Sequence, residues 1–257
     1  MIKIYPSSFA TPVGHTTDSK YNKGCIRYQV FKDDLTIEKT NIHPIYQAIG
    51  TLGEAFIISK LESEKVVFTD IEKPFKYQLD DDFYISGRFD AACSDYIYEF
   101  KTSISKVFYS TIIRKGVINP DHLGQLITYL CVEERTKGKL ICAYAHFDRP
   151  VTSLKFETRE FDVEICDGDI FVDNEPYGAS VTDLMKFYAN VVQAHKDPAF
   201  PPATINDNAC NYCPLADLCA FGPKVKAEFS REVAKIEVVE EVKREPKIQI
   251  HNCKEIK

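Results

Sequence analysis

Tryptophan is absent from the 257-residue chain, and methionine occurs only twice. Neither glycine (11) nor proline (13) is enriched, which excludes collagen-like and low-complexity chains. No apolar run approaches the about 18–20 residues that a membrane-spanning helix needs. The start, Met1-Ile2-Lys3-Ile4-Tyr5-Pro6, has no apolar h-region, so no secretory signal is expected. A basic excess is missing too: 32 Lys and Arg stand against 38 Asp and Glu, a net charge of -6. A strong global attraction to nucleic acid is thereby excluded, and any phosphate binding would need a local groove. No Walker A pattern occurs, so no P-loop nucleotide site is expected. The expectation is a soluble intracellular protein without a membrane partner.

What is present is globular. Hydrophobic residues make up 44% of the chain, enough to bury a core in one large domain or two small ones. Pro44 can open a helix that runs to about Glu62, because proline suits the first helical position. Strands are expected at Val66–Thr69, Phe75–Leu79, Tyr84–Ala92, Tyr96–Lys101, Leu140–Phe147, Ser153–Val163 and Ile170–Val172. Helices are expected over Ile104–Lys115, from Asn119-Pro120 to about Glu134, and over Val181–His195. From Pro223 the chain alternates Lys and Glu with little apolar content and reads as a flexible tail over 223–257. The class is α/β, with central strands and helices before and after.

The most informative segment runs Ile85-Ser86-Gly87-Arg88-Phe89-Asp90-Ala91-Ala92-Cys93-Ser94-Asp95-Tyr96-Ile97-Tyr98-Glu99-Phe100-Lys101. With Ser94-Asp95 as a two-residue turn, Cys93 faces Tyr96 and Asp90 faces Glu99. Directly opposed side chains have Cβ atoms roughly 4.5–5.5 Å apart, so the two carboxylates repel unless a cation lies between them. Alternation puts Ile97, Glu99 and Lys101 on one face, with Tyr96, Tyr98 and Phe100 on the other. The aromatic face can pack on helices while the Glu/Lys face points into a cleft. Hard Mg2+ takes carboxylate oxygens and keeps waters. It can polarise a phosphodiester and lower the pKa of a bound water, with Lys101 orienting that water or offsetting developing charge. The bland alternative is a surface hairpin with a Glu–Lys pair.

Two helices offer further groups. Gly50 and Glu54 are i and i+4 and share a face. Glycines at 50 and 53 cost about 1 kcal/mol each in a helix, which makes sense where backbone must approach a strand or substrate. Glu54 is a candidate metal ligand, or a solvated side chain. After Pro120, His122, Gln125 and Tyr129 form a polar stripe beside an apolar one of Leu123, Leu126, Ile127 and Leu130. Neutral donors in a stripe suit phosphate contacts; a half-exposed Tyr and solvated Gln are the alternative.

Gly50-x3-Glu54, Gly87-x2-Asp90, Glu99-Phe100-Lys101 and Gln125-x3-Tyr129, in this order and spacing, resemble the RecB-like branch of PD-(D/E)xK nucleases, from about residue 20 to 221. The resemblance implies that Asp90 and Glu99 hold Mg2+ or Mn2+, with the Phe100 carbonyl adding a ligand. It implies that Lys101 serves the hydrolytic water, and that Gln125 and Tyr129 align a DNA strand. Many relatives carry His where this chain has Glu54, which bears on metal preference and rate.

Nine cysteines are many for a chain without an export signal, and their number is odd, so a disulfide framework is not expected. Cys93, Cys131, Cys142, Cys166 and Cys253 sit mostly in apolar contexts and read as small buried hydrophobes. Cys210-x2-Cys213-x5-Cys219 has metal-ligand spacing. Zinc with Cys25 or His195 as fourth ligand fits that spacing, and so does a merely Cys-rich loop. In nucleases of the AddB type and the CRISPR-associated RecB-like type, one Cys precedes the core and three follow it, holding a 4Fe–4S cluster. The resemblance therefore implies a structural cluster on Cys25, Cys210, Cys213 and Cys219. Cys25-Ile26-Arg27-Tyr28 resembles the first-ligand motif, with Ile26 replacing a common Pro.

The expected whole is a restriction-endonuclease-like domain over 1–222, a mixed central sheet flanked by helices, with an iron–sulfur subdomain formed from both termini. The expected activity is metal-dependent hydrolysis of DNA, as an exonuclease on single-stranded ends in recombination, repair, phage DNA processing or CRISPR adaptation. A helicase or a recombination or adaptation partner would accompany it. The rivals are a non-hydrolytic DNA-binding scaffold subunit and a structure-specific or RNA-directed nuclease.

Overall fold

The computed structural model describes residues 2–4, 44–148 and 153–196. The four cysteines of the expected cluster and the tail from Pro223 lie outside the described residues, so the expected iron–sulfur subdomain does too.

Strand β1 (Ile2–Ile4) is followed by helix α1 (Pro44–Ser63). Strands β2 (Asp70–Asp80), β3 (Phe83–Ala92) and β4 (Ile97–Ser103) form an antiparallel run. A helical turn, α2 (Lys106–Phe108), continues as a π-helix over Tyr109–Arg114. Helix α3 (Pro120–Val132) starts where expected. The Asn119 side chain accepts from the Asp121 backbone N–H at 2.8 Å, and Pro120 occupies the first turn. Strands β5 (Lys137–Phe147), β6 (Leu154–Cys166), β7 (Asp169–Val172) and β8 (Glu175–Ser180) lead to α4 (Val181–Lys196).

All eight strands form one mixed sheet of order β1-β3-β4-β5-β6-β7-β8, with β2 on β3. The β4–β5 pair is parallel, and the chain between them crosses over through α2 and α3. Alternation along β4 divides the core. Tyr98 and Phe100 pack with Ile57 and Leu61 of α1. Ile97 joins Leu123, Leu126 and Ile127 of α3, with Leu184 and Tyr188 of α4 beyond them. The aromatic face of the hairpin meets a helix, as alternation predicts.

Three expectations need correction. Val66–Thr69 is not a strand: Lys65 takes φ +69° and the Val66 N–H bonds the Leu61 carbonyl, so these residues close α1. Strand β2 begins at Asp70 instead. Helix α3 has no open polar stripe, because Leu123–Leu130 are all buried. The sheet lies on one side, and α4 covers another, where Thr128 and Tyr188 hydroxyls meet at 3.0 Å. β1 and β8 were not expected; three and six residues carry too little periodicity to stand out.

Candidate active site

The turn at Ser94-Asp95 sets the register that the sequence suggests. The Cys93 N–H bonds the Tyr96 carbonyl at 3.0 Å, and Ala92 faces Ile97 while Ala91 faces Tyr98. There the ladder stops, one pair before Asp90 and Glu99. Strand β2 lines one edge of β3 along its length, so β4 and β1 share the other: β4 at Ala91 and Ala92, β1 at Phe83–Ile85. Beyond Tyr98, β4 leaves β3 and runs with β5 as far as the Ser103–Tyr144 pair. At the fork a side chain replaces the ladder, and Asp90 Oδ2 accepts the Phe100 N–H at 2.5 Å.

The other charges converge on this fork. Glu99 is only 1% exposed. Its Oε1 accepts from Lys101 Nζ, and its Oε2 is buried with no hydrogen-bond partner. A buried carboxylate oxygen left unsatisfied is costly. Glu54 comes from α1, whose backbone is drawn close to β4 at Gly53: a Cβ there would fall on the Thr102 side chain. Gly50 faces open space, with nothing within 4 Å of a built Cβ. The close approach that explains a helical glycine therefore applies to Gly53 and not to Gly50.

The electrostatics are those of crowded acids. Burial, and then the Glu99 charge, push the Asp90 carboxyl up to about 7, against the opposing pull of Lys101 and the Phe100 N–H. Glu54 is raised by burial, then by Asp90 and Glu72. Glu99 is raised by burial, with Lys101 opposing. Burial works to lower the Lys101 ammonium, yet Glu99 and Asp90 outweigh it and hold it above its ordinary value. Lys101 thus serves three carboxyls within electrostatic reach of one another, with Arg88 a lesser pull on Glu54 and Asp90. Cys142, opposite Lys101 on β5, has its thiol pushed up to about 12 by burial and offers no nucleophile at neutral pH.

Gln125 and Tyr129 lie beneath the fork. Gln125 Nε2 donates to the Tyr129 hydroxyl at 2.6 Å, and both residues are buried. The Tyr129 ring packs edge-on against Phe75, with centroids 5.3 Å apart. Burial and the Glu99 charge raise its phenol further, so it stays neutral. Phe75 also fills the space that a side chain at Gly87 would need, 2.8 Å from a built Cβ. Phe75 and Thr102 went unnoticed in the sequence; only the glycines opposite them carry a signal. His195, an alternative zinc ligand, lies at the end of α4 with its ring 5.5 Å from Phe83.

Among the described residues no group of three His, Cys, Asp or Glu side chains forms a ready metal cage. A cage is not required for Mg2+, which typically binds through one or two carboxylates and keeps several waters. The unpartnered Glu99 Oε2 and the raised Asp90 carboxyl leave two carboxyls that a nearby cation would stabilise in their ionised form. The donor set is all oxygen and fits a hard divalent ion.

No family model matches the chain, and no curated protein matches it by sequence. Its fold is similar to that of LHK-Exo in complex with dAMP, with TM-score 0.50 and 15% identity over 76% of this chain and 90% of that one. Another crystal structure, of an alkaline exonuclease (LHK-Exo) from Laribacter hongkongensis, gives TM-score 0.47 and 12% identity over the same shares, 76% and 90%. The structure of SSO0001 gives TM-score 0.47 and 18% identity over 86% of this chain and 87% of that one. The likeness is one of fold, a mixed α/β sheet with flanking helices.

Proposed function

We propose that this chain is a divalent-metal-dependent deoxyribonuclease acting as an exonuclease on single-stranded ends. The observation that carries the reading is the fork itself: Glu99 buried with one oxygen unpartnered, Asp90 half-buried beside it, and Lys101 bonded to Glu99. The exonuclease fold of LHK-Exo agrees with it.

Asp90, Glu99, the Phe100 carbonyl and Glu54 would hold Mg2+ or Mn2+. When bound, such an ion polarises a phosphodiester and lowers the pKa of water. Glu99 fixes the Lys101 ammonium through its Oε1, leaving Oε2 for the ion. Lys101 orients the attacking water and offsets the charge that develops on the phosphate. The Phe100 N–H holds Asp90 in place as its proton leaves. Tyr129, kept neutral and tied to Gln125, is a rigid buried support beneath Asp90 and Glu99 rather than a surface for the strand. A 4Fe–4S cluster on Cys25, Cys210, Cys213 and Cys219 would join the two ends of the domain and contribute folding free energy rather than chemistry.

The test is cleavage of end-labelled single-stranded and duplex DNA and of RNA, with Mg2+ or Mn2+ and with EDTA. Metal-dependent shortening of single-stranded DNA from an end is expected. A protein that binds DNA and cuts nothing under any of these conditions is a scaffold, and the reading fails.

A further inference from the structure

Beyond the fork, the Lys101 face of the sheet carries an aromatic row that the hydrolytic reading does not use. On β5 the side chains opposite Lys101 and Ser103 are Cys142 and Tyr144; His146 comes next on the same face. At about 3.3 Å per residue, Tyr144 stands about 7 Å and His146 about 13 Å along the strand from the Lys101 rung. Tyr109, the first residue of the π-helix, lies against Tyr144 with centroids 4.6 Å apart, and Tyr144 stacks on His146 at 5.7 Å and 13°. π-helical turns are rare and occur often at functional sites. The three rings are half-exposed.

The segment bearing Tyr109 is also basic. Lys106, Arg114 and Lys115 are exposed, and none makes an ion pair among the described residues. In a chain of net charge -6, the segment 106–115 holds these three cations and no Asp or Glu, so the helix that carries Tyr109 is locally basic. Unpaired bases stack on aromatic rings while cations follow the phosphates. Duplex bases, already stacked on one another, cannot do so.

We infer that Tyr109, Tyr144 and His146 form a stacking platform for the bases of a single DNA strand, whose phosphates run along Lys106, Arg114 and Lys115 on its way to the fork. The inference rests on the nuclease reading for its direction, but its test reads binding alone. The full chain is titrated with a fluorescent single-stranded oligonucleotide or its duplex, with EDTA present. Tyr109→Leu weakens single-strand binding about tenfold and leaves duplex binding unchanged, while Tyr109→Phe binds like the parent. Replacing Lys106, Arg114 and Lys115 together by Gln lowers the salt slope by about 2. Tyr109→Trp places a sole tryptophan in a chain that has none, and single-stranded DNA, not duplex, quenches its emission.

Parent-like single-strand binding by a folded Tyr109→Leu overturns the platform. So does a Tyr109→Trp emission that single strands leave unchanged, and this reading decides if Tyr109→Leu fails to fold. A parent that binds as described but cuts no DNA keeps the platform and loses the nuclease reading. One that cuts DNA while Tyr109→Leu binds like the parent does the reverse.

Discussion

Two hairpins in one sheet are built to opposite standards. Between β5 and β6 the ladder runs through eleven pairs, from Lys137–Glu164 to Phe147–Leu154, without a break. Its charges are answered across the strands: Lys139 bonds Glu160 and Asp162, and Lys137 lies 3.8 Å from Glu164. Between β3 and β4 only two pairs form. Of the carboxyls beyond them Glu99 is buried and Asp90 half-buried; the Glu99 charge opposes the ionisation of Asp90, and Lys101 is the main cation facing both. The first hairpin has the regularity of a scaffold. The second breaks the rules of ladder pairing and charge satisfaction at one place, and such lapses concentrate where function requires them.

Breaking the fork tests that contrast most severely. Lys101→Ala should lower the cleavage rate about 10²–10³-fold, the usual cost of one electrostatic stabiliser, while DNA binding survives. Near-parental rates would show that the fork is not the active site.

The raised Asp90 carboxyl gives a pH signature with a definite sign. Its folded value of about 7 lies above the ordinary 3.8, so the metal-free fold binds this proton more tightly than the unfolded chain. That stability is full below the ordinary carboxylate range and is lost as pH rises through about 7. A cation requires the ionised form, so metal affinity rises up to about tenfold per pH unit below the folded value and levels above it. Melting with EDTA and with Mn2+ across this window checks both arms, which should diverge as pH rises.

The two glycines of α1 separate packing from propensity. Gly53→Ala meets Thr102 and should destabilise by about 1–3 kcal/mol. Gly50→Ala meets nothing and should stabilise by up to about 1 kcal/mol. Denaturant midpoints measure both, and equal effects would mean that α1 does not approach β4 at Gly53. The smallest effect belongs to the regular hairpin. Glu160→Gln removes one of two carboxylates on a partly exposed Lys139 and should cost at most about 1 kcal/mol, leaving cleavage unchanged.

Much of the fork was legible because a two-residue turn fixes register. Once Ser94-Asp95 is the turn, Ala91 must face Tyr98, and alternation sends Phe100 toward α1 and Glu99 away from it. That the strands part before Asp90 and Glu99 was not legible. Alternation orders the side chains of a strand but does not say how far each neighbour accompanies it: β5 follows one edge of β4 from Ile97 to Ser103, while β3 leaves the other after Tyr98. The burial of Gln125 and Tyr129 was hidden for a similar reason, since their cover comes from the sheet and from α4, distant in sequence. Tyr144 and His146 carried a period-two signal on β5, but their partner Tyr109 lies on a π-helix that no pattern announces. Cys210, Cys213 and Cys219 keep their metal-ligand spacing, to which the resemblance adds Cys25, as the ground for the proposed cluster.

Under the proposed function Asp90 ionises against the Glu99 charge in order to hold a divalent cation. The direct measurement is the melting temperature of the full chain and of Asp90→Asn at pH 8, each with EDTA and with Mn2+. With EDTA the variant should melt at or above the parent, by up to about 2–4 °C for a gain of 1 kcal/mol, because a neutral amide relieves the repulsion from Glu99. With Mn2+ the parent should rise and the variant should not. An Asp90→Asn protein that melts well below the parent with EDTA and is stabilised by Mn2+ as strongly would contradict the account, since Asp90 would then be a structural residue and not a metal ligand.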